Sequence, residues 1–216
     1  MAESRRIEGM AAAISLANLD TDQIMPKQFL RGIDKSGLDK GVLYDMRFDG
    51  DGLPRADFVL NRPEYADARI LVAGSNFGCG SSREHAVWGL QQYGIQAVIA
   101  SSFGEIFYSN AMNNSLLLIM LPEAEVQCLM ADVANADKAR VVIDLEAMSV
   151  RSHRCHATFT MAPRHRHMFL EGLDVIGASL AHRDAIDAFA AAHWAAQPWL
   201  KNVGRRTRDR LTHTAR

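Results

Sequence analysis

The chain has 216 residues, 48% hydrophobic and 23% charged, with a formal net charge of −1. That length suits one good hydrophobic core, or one domain with a small appendage. The near-zero charge gives no electrostatic case for nucleic acid or an anionic membrane, no apolar run approaches the roughly 20 residues of a membrane span, and residues 1–9 lack the apolar stretch of a signal peptide. A cytoplasmic protein is therefore expected.

Along the chain, the first 66 residues are rich in Asp and Gly, with prolines flanking Phe58-Val59-Leu60, and read as loops and short strands. Four apolar runs follow, at 70–73, 97–100, 116–121 and 141–143. Continuous apolar character predicts strands covered on both faces, as in a parallel sheet. Between them, Glu84–Tyr93 carries Ala86, Val87, Leu90 and Tyr93 at helical spacing. Residues 103–113 and 122–134 suit two more helices, the latter with Pro122 at its start and Glu123 and Glu125 in its first turn. The β-α-β-α alternation predicts an α/β sheet with right-handed crossovers.

Weak alternation over residues 147–160 predicts an antiparallel hairpin, and residues 181–196 an amphipathic helix with Ile186 and Phe189 inward. The tail, residues 201–216, holds six Lys/Arg and one Asp and reads as a frayed, solvated end. Residues 1–200 are thus expected to form one domain. Cys79, Cys128 and Cys155 are far apart and odd in number, which predicts reduced thiols rather than a disulfide framework or a metal site. Cys79 stands apart because it lies in a glycine-rich segment.

That segment carries the chemistry. After the run at 70–73 come Gly74, then Gly78 and Gly80 bracketing Cys79, then Ser81-Ser82-Arg83-Glu84-His85. Glycines permit positive φ and close ligand approach. Ser81-Ser82-Arg83-Glu84 fits the S-x-x-E capping box, which would start a helix at Ser82 or Arg83. A helix N-terminus favours an anion. Arg83 there opposes the helix dipole but suits a bidentate grip on carboxylate or phosphate. No Lys follows the glycines, and neither G-x-G-x-x-G nor G-x-S-x-G is present, so nucleotide-binding and serine-hydrolase readings are disfavoured. Carboxylate and phosphate both remain open on these grounds.

Phe77-Gly78-Cys79-Gly80-Ser81-Ser82-Arg83-Glu84-His85-Ala86 resembles the signature of the aconitase superfamily swivel domain, most closely that of the bacterial 3-isopropylmalate dehydratase small subunits. Asp20-Thr21-Asp22-Gln23-Ile24-Met25-Pro26 resembles the family's D-T-D-x-I-x-P element. Phe103-Gly104-Glu105-Ile106-Phe107-Tyr108-Ser109-Asn110, followed by Asn113-Asn114, and Gly172-Leu173-Asp174-Val175-Ile176-Gly177 resemble two further elements. The likeness runs from about Met10 to about Leu200.

The resemblance implies a three-layer β/β/α swivelling domain of the aconitase C-terminal type. It implies one half of a hydro-lyase that interconverts 2- and 3-isopropylmalate in leucine biosynthesis. It places a 4Fe–4S cluster on a separate large subunit, with no metal bound by this chain, in a heterodimer or higher assembly acting on a small di- or tricarboxylate. By the same resemblance Ser81 is the candidate base, Arg83 and Asp22 are catalytic candidates, and Gly80 and Ser82 contact substrate. Phe29, Leu30 and Arg31 lie where the substrate's variable group would be sensed; an apolar loop suits an isopropyl group, whereas Arg31 suits an extra carboxylate. Related dehydratases acting on methylmalate, dimethylmalate or homocitrate (homoaconitate), and a non-catalytic anion-binding module, are the alternatives. His85 is expected to pack or cap near the site. His153, His156, His165 and His167 are expected on solvated basic strands rather than in a metal site.

Overall fold

The computed structural model describes residues 5–30 and 35–214. By contacts the chain divides into two compact units, Met1–Asp174 and Val175–Arg216.

In the first unit, β1 (Arg6–Ile14) is followed by the one-turn helices α1 (Thr21–Ile24) and α2 (Tyr44–Arg47). Then β2 (Ala68–Ala73), α3 (Glu84–Tyr93), β3 (Ala97–Ala100), α4 (Glu105–Asn113), β4 (Leu117–Met120) and α5 (Glu123–Val133) alternate. The unit ends with β5 (Arg140–Asp144), β6 (Ser149–Arg151), β7 (His156–Thr158) and α6 (Pro163–Glu171). The strands form one seven-stranded sheet in the order β4-β3-β2-β1-β5-β6-β7.

The sheet is mixed, which corrects the parallel reading of its fourth apolar run. β1 to β4 pair in parallel, but β5, holding Val141-Val142-Ile143, runs antiparallel to β1 with Ile7 opposite Ile143. Burial on both faces makes a strand continuously apolar whatever the direction of its neighbours. The hairpin expected at 147–160 is present as antiparallel β6 and β7. The nine-residue central strand β1 stands where loops and short strands are expected at the start of the chain. Its Gly9, Met10 and Ala11-Ala12-Ala13 carry little β-propensity; the small side chains suit a strand that α5 packs across along with β2 and β3. Ala11 and Ala12 are fully buried.

Two features tie α5 to the β6–β7 edge. Asp132, fully buried, accepts from Ser152 Oγ at 2.6 Å, from the Arg154 amide at 2.7 Å and from Arg154 Nε at 2.7 Å. Cys128, one helical turn earlier, is bonded to Cys155, with a Cα–Cα separation of 6.2 Å. The expectation of reduced Cys128 and Cys155 is corrected: 27 residues apart in sequence, they are neighbours once the hairpin folds back on α5. Cys79 is the free cysteine.

The second unit contains α7 (Val175–Leu180), α8 (Arg183–Ala196) and α9 (Val203–Thr214). The tail expected to fray is helical over α9. Ile186 and Phe189, expected inward, are 47% and 70% exposed. Their helical spacing is real, but none of α8's residues is buried.

Candidate active site

The loop from β2 to α3 is held from two sides. On one side lies the chain that leaves β1. The Gly78 amide donates to the Leu19 carbonyl at 2.7 Å, and the Thr21 amide to the Cys79 carbonyl at 2.9 Å. The buried Thr21 hydroxyl donates to the Ser81 carbonyl at 2.8 Å, and the Cys79 thiol to the Asn18 carbonyl at 3.3 Å. On the other side lies the start of α4, where the Phe77 amide donates to the Ser102 carbonyl at 3.2 Å and the Gly104 amide to the Phe77 carbonyl at 2.9 Å. Gly78 has φ +74, and a Cβ there would sit 2.3 Å from the Phe107 ring, so the turn requires glycine. Gly80, also at positive φ, faces Asp20 and Thr21.

Asp20 caps α1. The Gln23 amide donates to Asp20 Oδ1 at 2.7 Å, and the Asp20 amide donates to Gln23 Oε1 at 3.0 Å, a reciprocal capping box. Asp22 therefore sits in the first turn, where it pairs with Arg83; Lys27 Nζ lies 3.8 Å from its other oxygen. Behind this pair, fully buried Met25 reaches across to Gly89 of α3 and fixes the two helices against each other.

The capping box expected from Ser81 to Glu84 does not form. α3 starts at Glu84 with Arg83 as its N-cap residue, and no side chain caps it. Glu84 is drawn elsewhere: Asn114 Nδ2 donates to Glu84 Oε1 at 2.5 Å. Asn114 Oδ1 accepts from Trp88 Nε1 at 3.0 Å, and the Asn114 carbonyl accepts from Gln91 Nε2 at 2.6 Å. The first-turn amides of α3 are thus left without a side-chain cap beside Ser81 and Ser82, both exposed. An uncapped helix N-terminus of this kind favours an anion.

The structure brings Asp22, Gly80, Ser81 and Arg83 together through these bonds. Phe29 ends a helical turn, Lys27–Phe29, and packs on Tyr44 with ring centroids 5.1 Å apart. Leu30 is half-buried against the core; Arg31 lies outside the described residues. Thr21 and Asn114 are the residues for which sequence reasoning gives no role. Both lie in the motif stretches, but a hydroxyl donating to a distant carbonyl and an amide pulling Glu84 off its cap leave no spacing signal. His85 packs on Trp88 with ring centroids 4.8 Å apart. His165 and His167 lie on helix α6 and not on a strand as expected; burial, and then the charge of Arg164, push the pKa of His165 down, and its ring lies 6.3 Å from that of Tyr108. Among the described residues no three His, Cys, Asp or Glu side chains converge on a metal position, and no helix is long and apolar enough to cross a membrane.

The family model of the aconitase C-terminal domain matches residues 1–124, and that of the C-terminal domain of the 3-isopropylmalate dehydratase small subunit matches residues 176–203. A 3-isopropylmalate dehydratase small subunit 1 of Chromobacterium violaceum is 67% identical over 95% of this chain and 97% of its own length. A 3-isopropylmalate dehydratase small subunit of Phenylobacterium zucineum is 49% identical over 92% of this chain and 98% of its own. Among solved structures, a 3-isopropylmalate dehydratase from Methanocaldococcus jannaschii superimposes with a TM-score of 0.56 at 28% identity, covering 86% of this chain and 99% of that one. The fold class read from the sequence, an α/β swivelling domain of the aconitase C-terminal type, is the one these matches carry.

Proposed function

The chain belongs to the family of 3-isopropylmalate dehydratase small subunits, and from that premise we propose that it supplies one wall of a shared active site that isomerises 2- and 3-isopropylmalate by dehydration and rehydration. As a small subunit it works with a large one. Alone it is inactive. The assembly is cytoplasmic and serves leucine biosynthesis.

The observation that carries this reading is the exposed Ser81 held beside the uncapped N-terminus of α3 and the Arg83 guanidinium. Proton removal beside a carboxylate needs a positioned base and a counter-charge for the developing anion. Ser81, ionised, takes the proton from the carbon next to the substrate carboxylate and returns it to a substrate carbon on rehydration. Helix-end effects supply only about 0.3–2 kcal/mol, too little alone to ionise a hydroxyl, so further positive charge is needed, from Arg83 or from a metal on the partner subunit. Ser82, Gly80 and Arg83 hold the carboxylate, and Asp22 fixes the guanidinium plane. By the resemblance, Phe29, Leu30 and Arg31 sense the substrate's variable group.

The residues of this chain do not fit as ligands of an iron–sulfur cluster: Cys128 and Cys155 are bonded to each other and Cys79 stands alone. The resemblance gives the 4Fe–4S cluster to the large subunit, and the cysteines of this chain are compatible with that. Anaerobic mixing of the two subunits, followed by alkene absorbance from 3-isopropylmalate, tests the proposal. Turnover with both chains and none with either alone is expected. Methylmalate, dimethylmalate and homocitrate run in parallel should turn over more slowly. A cluster-loaded mixture that converts none of the four would refute the hydro-lyase reading.

A further inference from the structure

We propose that Cys128 and Cys155 form a reversible oxidation site, taking a small disulfide of the glutathione class as oxidant and a dithiol as reductant, which staples the β6–β7 edge of the sheet to α5. The Cα–Cα separation of 6.2 Å lies inside the span a disulfide bridges without backbone movement. Cys128 is half-buried on α5 and Cys155 is buried at the start of the returning hairpin strand, so the α5 side is the one open to an attacking thiol or disulfide.

A second contact makes the pair reversible. Asp132 lies four residues after Cys128 and so on the same face of α5. It holds residues 152–154 through the Ser152 hydroxyl and the amide and guanidinium of Arg154. The turn is closed on itself as well, with the Ser152 amide donating to the Cys155 carbonyl at 2.9 Å and the Cys155 amide to Ser152 Oγ at 3.3 Å. The two sulfurs are thus held face to face by contacts that do not depend on the bond between them, and both oxidation states share one fold.

The exchange balances. The Cys128 thiolate attacks one sulfur of the small disulfide and expels a thiolate. The Cys155 thiolate then attacks Cys128 Sγ and expels the second. Two protein thiols are oxidised, one disulfide is reduced to two thiols, and the two cysteine protons end on those thiols. β1 and β5 lie between the β6–β7 edge and β2 in the sheet, and the effect proposed for the site is on the stability of this chain.

The test uses the full chain, equilibrated in buffers running from reduced glutathione to glutathione disulfide, then alkylated and mapped by peptide mass. Cys128 and Cys155 should convert together into one linked peptide pair, reversed by dithiothreitol under native conditions with an unchanged circular dichroism spectrum. The oxidised chain should melt roughly 7–14 °C above the reduced one, from the 27-residue separation and the size of the protein. Cys128→Ser should melt like the reduced chain in both buffers; if that variant does not fold, the wild-type pair of melting curves decides alone. Free thiols at both positions across all ratios, reduction only after unfolding, or equal melting temperatures in the two states would each overturn the proposal.

Discussion

Arg83 is the more enclosed member and Asp22 the more open member of the ion pair that joins the two arms of the site: their side chains are 14% and 40% exposed. The asymmetry predicts unequal consequences. In Arg83→Ala, Asp22 can still be solvated, so folding changes little, while turnover of the two-subunit complex should fall about 10²–10³-fold with the lost counter-charge. Arg83→Lys should not restore it, because a compact ammonium lacks the planar fork that grips a carboxylate bidentately. Asp22→Asn should cost about tenfold, the size of one charge-assisted hydrogen bond. Steady-state kinetics beside a melting curve separate these cases, and wild-type turnover in Arg83→Ala would remove Arg83 from the mechanism.

Thr21 has a different kind of influence. Its hydroxyl donates to the Ser81 carbonyl, so it acts through Ser81's position. Thr21→Val keeps the shape and leaves that carbonyl without its donor, at a cost of about 1–3 kcal/mol. Turnover and melting temperature should both drop, and Thr21→Ser should recover both. If the Val variant binds substrate and turns over as wild type does, the clamp from α1 does not set the base.

Gly104 tests the clamp from the other side. A Cβ at this position would lie 2.4 Å from the Gly78 carbonyl oxygen and 2.9 Å from Cys79 Cα. Both are backbone atoms, so the loop itself must shift. Overpacking of this kind costs about 1–3 kcal/mol, and a displacement near 1 Å at a catalytic group costs about 10²-fold in rate. Gly104→Ala should stay folded by circular dichroism and lose turnover in the complex by about that factor. Normal turnover would mean that the loop tolerates the shift.

These contacts separate what is legible in the sequence from what is not. The apolar runs at 70–73 and 97–100 and the helix Glu84–Tyr93 are legible because burial on one face or both leaves a period. β1 is not, because Gly9 and Ala11 to Ala13 serve close packing against α5 and look like neither strand nor helix. The glycine-rich loop stands out through residue type alone. The capping box that spacing suggests there fails because Glu84 is claimed by Asn114, 30 residues away. The bridge between Cys128 and Cys155 is hidden for the same reason: it depends on a hairpin returning to α5, which spacing along the chain does not encode.

Asp132 gives a pH prediction. It is fully buried, and burial alone would push its carboxyl up. The bonds from Ser152, the Arg154 amide and the Arg154 guanidinium outweigh that and hold it well below the usual carboxylate range. A carboxyl with a folded value below its unfolded one, about 3.9, stabilises the fold fully above that value. The contribution is lost as pH falls towards the folded value, because the unfolded chain takes up the proton first. Asp132→Asn should destabilise the protein at pH 7 by about 2–3 kcal/mol, less than the roughly 3–5 kcal/mol of a fully buried pair, since Arg154 is 62% exposed and can be solvated alone. Urea unfolding of both proteins should give a constant gap from about pH 8 to pH 5. Below about pH 4 the gap should narrow by up to about 1.4 kcal/mol per pH unit, because the Asn variant has nothing to titrate there. A gap that stays flat from pH 5 to pH 3 would mean that Asp132 is not held ionised by these three donors.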